Sequence, residues 1–119
     1  MNMREQEKRL IEKIDKHGLV RVVAHDIFDM PMHPDAFGKG HPAYIDEDDV
    51  AHIIGVTEVR LYEKEVWSAK RKARTTDERE GYVALGRTYC SEKEKHYSRQ
   101  RGRLIATGRA FKAFEASLV

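Results

Sequence analysis

The stretch Tyr89–Lys112, YCSEKEKHYSRQRGRLIATGRAFK, decides the fold that we predict for this chain. It carries apolar residues at helical spacing together with many basic side chains. The basic residues are Lys93, Lys95, Arg99, Arg101, Arg103, Arg109 and Lys112. The apolar side of such a helix must be buried against another layer of secondary structure. We therefore expect a C-terminal helix that packs on a sheet and presents a positive ridge, which suits a polyanion or an acidic protein surface.

Two serines are candidates for the start of this helix. Ser91 with Glu94 has the spacing of a capping box, and Ser98 is a later alternative. An apolar stripe follows at helical spacing, formed by Leu104, Gly108, Phe111, Phe114 and Leu118. Glycine inside a helix costs about 1 kcal/mol relative to alanine. Close approach to the sheet would account for Gly108, whereas Gly102 is a candidate break in the helix.

Upstream of that stretch, the patterns predict a helix, a strand and a loop. Glu and Lys recur at helical spacings over Arg4–Lys16, and Gly18 is a natural end to that helix. The valine-rich run Leu19–Phe28 has strand character. All three prolines lie in the segment 29–44, which we predict to be a loop. A loop of this length is often functional.

The middle of the chain predicts a short helix followed by a β-hairpin. Acidic residues open the segment Asp46–Gly55, and the helix dipole favours them in a first turn. Residues 56–73 predict a long strand whose alternation shifts near Glu63–Glu65, which indicates a bulge or bend. A polar turn at 75–81 and a second strand at 82–90 complete the hairpin.

We therefore predict a single domain of the α+β class over residues 1–119. The expected order is α-β-α-β-β-α, with about three antiparallel strands and the C-terminal helix packed on one face. On the first helix, Leu10, Ile11 and Ile14 form a narrow apolar strip. That strip could pack on the sheet or join two copies of the chain into a homodimer.

The composition favours a globular protein of a reducing compartment. The chain has 119 residues, of which 40% are hydrophobic and 35% charged. No apolar run approaches the roughly 18 residues that a membrane helix needs, so we expect no membrane partner. Cys90 is the single cysteine, so the chain forms no internal disulfide, and the cytoplasm is the expected location.

Charge is divided unevenly along the chain. Residues 1–55 carry seven Lys or Arg against eleven Asp or Glu, whereas residues 56–119 carry fifteen against nine. Such asymmetry is typical of a polyanion-binding portion attached to an acidic one, although solvated faces of ordinary elements are charged as well. The candidate binding residues lie in the basic half: Lys70, Arg71, Lys72, Arg74, Tyr97, Arg99, Arg101, Arg103 and Arg109.

These residues suit phosphate recognition. Guanidinium groups bind phosphates bidentately and stay charged at any cellular pH. Arg99 and Arg103 are i,i+4 neighbours, and Tyr97 beside them could stack on a base. The cluster Lys70–Arg74 lies near the predicted turn, and two such clusters on neighbouring elements would make one stripe. The pattern predicts nucleic acid or an acidic protein surface as the partner.

A metal-dependent enzyme is the third hypothesis. His25, His33 and His41 lie with several aspartates in and near the proline-rich loop, but no two have a spacing that places two ligands on one element. Cys90 has basic neighbours that could activate a thiolate, yet a free cysteine at a strand end is more often a small core residue. We therefore predict no catalytic residue, no metal and no cofactor.

The run Cys90–Ala110 contains the pattern C-S-x-x-x-x-x-Y-S-R-x-x-G-R-L-I-A-T-G-R-A. It resembles the C-terminal segment of small uncharacterised proteins from phages and mobile elements, in which an aromatic-Ser-Arg precedes a G-R-x-I-A-x-G-R-A helix. His96 stands where an aspartate is expected before the aromatic residue. The resemblance implies a viral or mobile-element accessory role and gives no catalytic residues.

Two non-enzymatic functions agree with these observations. In the first, a phage or mobile-element accessory protein binds nucleic acid through its basic C-terminal half, in the cytoplasm of the host cell if the protein is viral. In the second, the protein is an inhibitor that binds a host nuclease or defence complex, of the anti-CRISPR type. The inhibitor could use either the basic ridge or the acidic run Asp46–Asp49 as a mimic of nucleic acid. We favour the first hypothesis.

Overall fold

The computed structural model of the protein describes residues 2–33, 52–73, 80–91 and 98–118. The elements in these ranges are, in chain order, α1 (Met3–Lys16), β1 (Leu19–Met32), β2 (Ile53–Glu63), α2 (Lys64–Lys72), β3 (Ala84–Ser91) and α3 (Arg99–Ser117). The fold is of the α+β class, with a small antiparallel sheet and a C-terminal helix, as we predicted. None of these helices is long and apolar enough to cross a bilayer.

The sheet has the strand order β1-β2-β3 within the described residues, and both strand pairs are antiparallel. Val23 lies opposite Val59, which in turn lies opposite Gly86. Because successive side chains of a strand point to opposite faces, these three positions share one face and Tyr62 lies on the other. The central strand β2 is buried along most of its length, while β1 and β3 form the two edges of the sheet that the described residues build.

The core lies on the face of the sheet that α1 and α3 cover. Val59 and Leu61 of β2 are fully buried there, in one cluster with Ala106 and Ala110 of α3. A Cβ atom on Gly86 would overlap the backbone of Ala106 and Ala110. The absence of a side chain at Gly86, together with small residues on α3, therefore sets the close distance between this helix and β3.

The first helix agrees with the prediction, whereas β1 begins at Leu19 as predicted but continues to Met32, so residues 29–32 belong to the strand and not to the predicted loop. Asn2 caps α1, since its Oδ1 atom accepts a hydrogen bond from the backbone N–H of Glu5 at 2.9 Å. Gly18 has a φ of 72°, a left-handed conformation that turns the chain from α1 into β1. Ile14 is buried in the core, whereas Ile11 is 38% exposed. Part of the predicted apolar strip thus packs on the sheet.

The middle of the chain departs from the prediction. Ile53–Gly55 begins β2 and is not the end of a helix, while residues 46–51 of that predicted helix lie outside the described residues. The strand that we predicted over 56–73 ends at Glu63, where α2 begins. The shift in alternation near this point marks a change from strand to helix and not a bulge. The predicted antiparallel pairing of β2 with β3 is present, but α2 lies between them in the chain in place of a tight hairpin.

The packing of α2 explains why this segment is helical. Trp67 packs against Tyr62, with ring centroids 5.0 Å apart, and the Lys70 ammonium lies 5.9 Å from the centre of the same ring. A Cβ atom built on Gly81 would lie 3.3 Å from both Val66 and Lys70, so both of these α2 side chains pack against Gly81. Val66 and Trp67 would point to opposite faces in a strand, whereas a helix brings both toward the sheet.

Of the two serines that we predicted as candidate caps of α3, Ser98 is confirmed and Ser91 is wrong. Ser91 is the last residue of β3, so it does not cap the helix. Ser98 is the N-cap, and its Oγ atom accepts a hydrogen bond from the backbone N–H of Arg101 at 3.3 Å. Gly102 is buried in the first turn, and its N–H donates to the Ser98 carbonyl at 2.9 Å. The helix is therefore unbroken at Gly102, contrary to the prediction.

The buried side of α3 is formed by smaller residues than we predicted. Phe111 is buried as expected, but Leu118 is 61% exposed. Ala106 and Ala110 take the positions closest to β3. Gly108 faces Leu10 of α1, where a Cβ atom would find that side chain at an ordinary 3.9 Å. The close approach between helix and sheet that we predicted at Gly108 occurs instead at Gly86 of β3, opposite Ala106 and Ala110.

Candidate nucleic-acid interface

Three arginines lie in the first two turns of α3. Arg99 and Arg101 are exposed in the first turn, and Arg103 follows in the second. The first turn contains no acidic residue, and the next acidic residue after Ser98 is Glu115. The N-terminal end of a helix carries a partial positive charge, which disfavours a nearby cation by about 0.3–1 kcal/mol. The charges of Arg99 and Arg101 are thus unfavourable for the stability of this helix end.

The N-terminal half of α1 contributes two further cations, which lie near Arg103. A groove of about 620 Å³ between α1 and α3 is lined by Arg4, Glu7, Lys8, Ile11, Glu12, Gln100 and Arg103. Arg4 and Lys8 are both exposed and lie one helical turn apart. We call Arg4, Lys8, Arg99, Arg101 and Arg103 the basic surface. The sequence prediction missed the two α1 residues because they belong to the half of the chain that is acidic overall.

The carboxylate of Glu7 fixes the position of Arg103 in the basic surface. Glu7 of α1 accepts hydrogen bonds from Arg21 of β1 at 2.8 Å and from Arg103 at 3.1 Å. Arg21 also donates to the hydroxyl of Thr107 at 3.2 Å. We call these four residues the Glu7 cluster. It fixes the orientation of Arg103 while leaving that side chain 33% exposed.

The two guanidinium groups set the ionisation of Glu7. Burial alone would raise the pKa of the Glu7 carboxyl, but hydrogen bonds and positive charge from Arg21 and Arg103 outweigh burial and lower the pKa below its ordinary value near 4.5. Glu7 is therefore ionised at neutral pH. Its single charge is shared between two arginines, so the Glu7 cluster keeps a net positive charge.

The pKa of His25 in β1 is affected by two arginines of the basic surface. Its Nδ1 atom lies 2.9 Å from the hydroxyl oxygen of Thr57 in β2. Burial, and then the positive charges of Arg103 and Arg99, lower the pKa of His25 below its ordinary value near 6.5. The imidazole is therefore mostly neutral at pH 7. An anion bound to Arg99 and Arg103 would oppose this shift and raise the pKa.

The remaining predicted site residues lie elsewhere. Lys70, Arg71 and Lys72 belong to α2, which packs against Tyr62 on the sheet face opposite α3. Arg109 lies further along α3 and donates a hydrogen bond to the backbone carbonyl of Arg87 at 2.7 Å. Arg74 and Tyr97 lie outside the described residues. The described parts of the two predicted clusters thus occupy different faces and do not form one stripe.

The residues considered for an enzyme do not assemble into a site within the described ranges. Those ranges contain no group of three His, Cys, Asp or Glu side chains that could hold a metal ion. His41 and Asp35 lie outside them. Cys90 is only 5% exposed, as expected of a core residue.

Comparison of the chain with protein-family models, with curated proteins and with solved structures found no match.

Proposed function

We propose that this protein binds the phosphate backbone of nucleic acid through the basic surface. The observation that carries the proposal is the placement of Arg99 and Arg101 in the first turn of α3, a turn that contains no acidic residue. A sequence that breaks a local rule of helix stability without a local compensation is typical of a functional site. A phosphate group would supply the missing negative charge, because helix N-termini and guanidinium groups both favour it.

The spread of these cations favours a polyanion over a single small anion. Arg99 and Arg103 are four residues apart in α3, which corresponds to about 6 Å along a helix. Arg4 and Lys8 line the α1 side of the groove, together with Glu7 and Glu12. Phosphates repeated along a strand could contact both helices, whereas one phosphate could not. In the proposal, the protein acts as a cytoplasmic accessory protein of a phage or mobile element.

Binding to labelled oligonucleotides tests the proposal. Fluorescence anisotropy is measured with single-stranded DNA, duplex DNA and RNA over a range of salt concentrations. The affinity should fall steeply with salt, because each neutralised phosphate contributes about 0.9 to the slope of log K against log salt for duplex DNA. The variant Arg101→Glu should weaken binding at least about tenfold at low salt and reduce the slope by about one or more.

A charge reversal elsewhere provides the matched control. Lys72→Glu changes the net charge by the same amount on α2, outside the basic surface. It should weaken binding far less than Arg101→Glu does. Equal effects of the two variants would show a nonspecific response to net charge and would contradict the assignment to the basic surface. Absence of binding to all three nucleic acids at low salt would overturn the proposal and favour the protein-binding inhibitor.

A further inference from the structure

A second groove lies between α1, β1 and α2, with a volume of about 720 Å³. Its floor is apolar and is formed by Ile11, Ile14, Leu19, Val20 and Trp67. Two exposed cations of α2, Arg71 and Lys72, line it as well. A third cation, Lys64, is already paired, since its ammonium lies 2.6 Å from the Asp15 carboxylate. The groove therefore joins an apolar floor to a positively charged side.

The groove reaches the outer edge of the sheet. Three consecutive residues of β1, Leu19–Arg21, line it, although neighbouring side chains of a strand point to opposite faces. Because residues from both faces of β1 line the groove, it runs along the edge of this strand and not over one face of the sheet. β1 is an edge strand, paired within the described residues with β2 alone. The groove thus follows an edge that β2 leaves open.

The hydrogen-bond pattern shows which backbone groups point along this edge. The carbonyl of Gly18 accepts a hydrogen bond from the N–H of Lys64 at 3.0 Å, so residues 18 and 64 form a hydrogen-bonded pair. Hydrogen-bonded and non-hydrogen-bonded pairs alternate along an antiparallel ladder. The N–H and C=O groups of Leu19 and Arg21 therefore point away from β2. They are placed to pair with one more strand.

We propose that this groove binds an extended, acidic peptide segment of a partner protein, which adds to the sheet as a strand beside Leu19 and Arg21. Alternate side chains of such a strand would face α1 and α2. Those facing α1 would meet the exposed Ile11 and should be apolar, whereas those facing α2 would meet Arg71 and Lys72 and should be acidic. The match of charge and of backbone hydrogen-bonding groups favours a peptide over a small amphiphilic anion.

This inference goes beyond the proposed nucleic-acid binding and is independent of it. Arg71 and Lys72 are outside the basic surface, and neither lines the groove between α1 and α3. Oligonucleotide binding and peptide binding are measured with different probes. Either function can therefore fail without the other.

A designed peptide tests the inference. The probe is a blocked peptide of about seven residues in which aspartate alternates with valine, the pattern that strand addition requires. Trp67 is the only tryptophan of the chain and lines the groove, so its fluorescence should change on binding and saturate. The double variant Arg71→Glu/Lys72→Glu should lose at least about tenfold in affinity. Arg101→Glu is the control, and it should bind the peptide as the wild type does.

Two further ligands separate strand addition from simpler binding. A version of the peptide that is N-methylated at alternate residues keeps its charge and side chains but cannot complete the backbone pairing, and it should bind at least about tenfold more weakly. Equal binding of the methylated peptide would overturn the inference. It would also be overturned if decanoate produced the same fluorescence change and displaced the peptide, because the groove would then be a site for a small amphiphile. The inference would likewise be overturned if the unmodified peptide left the fluorescence of Trp67 unchanged.

Discussion

Glu7 links three separate parts of the fold through a single carboxylate. It contacts Arg21 of β1 and Arg103 of α3, and it lies on α1. The Glu7 residue is only 8% exposed, so neither arginine could easily exchange this partner for water. Removal of one partner from a largely buried ion pair leaves the other charge uncompensated. The Glu7 cluster should therefore contribute to stability as well as to the orientation of the basic surface.

The substitution Glu7→Gln tests this contribution. It should lower the free energy of unfolding at pH 7 by about 1–3 kcal/mol, since two partly buried guanidinium groups lose their counter-charge. Because the pKa of Glu7 is lowered in the folded state, its contribution is present above the ordinary value near 4.5 and is lost as the pH falls through the lower folded-state pKa. The difference in unfolding free energy between variant and wild type, measured by urea unfolding, should therefore be smaller at low pH than at pH 7.

Glu12→Gln is the matched control for this measurement. Glu12 is an exposed residue of the same helix and lines the same groove. Its replacement should change the unfolding free energy by less than about 0.5 kcal/mol. A Glu7→Gln variant as stable as the control at pH 7 would contradict the role assigned to the Glu7 cluster.

At the scale of the elements, α3 packs on β3 with the two backbones close together. This contact depends on Gly86, opposite Ala106 and Ala110, and large apolar side chains take no part in it. Helical periodicity was enough to predict α3 and the burial of Phe111, because large apolar residues dominate that pattern. The same periodicity could not identify the contact with β3. Alanine, threonine and glycine carry little hydrophobic signal, and their role depends on a partner strand that is distant in sequence.

Two glycine substitutions distinguish a packing role from a helix-propensity effect. Gly86→Ala should destabilise the protein by roughly 3 kcal/mol or more, since its Cβ atom would overlap backbone atoms that cannot move independently. Gly108→Ala should instead stabilise it by about 0.5–1 kcal/mol, because the position is helical and leaves room for a methyl group. Thermal or urea unfolding measures both. A mild effect of Gly86→Ala would show that α3 can shift away from the sheet.

The element predictions succeeded where local signals were sufficient. α1 and the start of β1 lie where we predicted them, with Gly18 between them, whereas the strand runs four residues further than predicted. α2 was missed because Tyr62, Val66 and Trp67 fit either a strand with an irregularity or a strand followed by a helix. Only the contact of Trp67 with Tyr62 across the strand end decides between them. Tertiary packing thus determined what local sequence left open.

At the scale of the whole molecule, positive charge is distributed over two surfaces. The balance of charge between the two halves of the sequence predicted a polyanion-binding C-terminal half. In the fold, Arg4 and Lys8 come from the acidic half and lie beside Arg103. Conversely, Arg71 and Lys72 come from the basic half but line the groove between α1, β1 and α2. Proximity in the fold, and not position along the chain, defines each surface.

The two proposed ligands should bind at the same time. They use different cations, although Ile11 of α1 lines both grooves and brings the sites near each other. Saturation with the acidic peptide should weaken oligonucleotide binding by less than about fivefold, a coupling of about 1 kcal/mol or less. Anisotropy of the labelled oligonucleotide at increasing peptide concentration measures the coupling. Full displacement of one ligand by the other would show that they compete for a single site.

The position of α3 at the end of the described chain has a consequence for biosynthesis. Arg103 contacts Glu7, which lies 96 positions earlier in the chain, and the core on that face includes Ala106, Ala110 and Phe111. While the ribosome is still translating the strands, β2 and β3 have no α3 to cover them. This face of the nascent sheet therefore remains in contact with solvent or a chaperone until α3 has been made, and premature termination before α3 would leave a product prone to degradation.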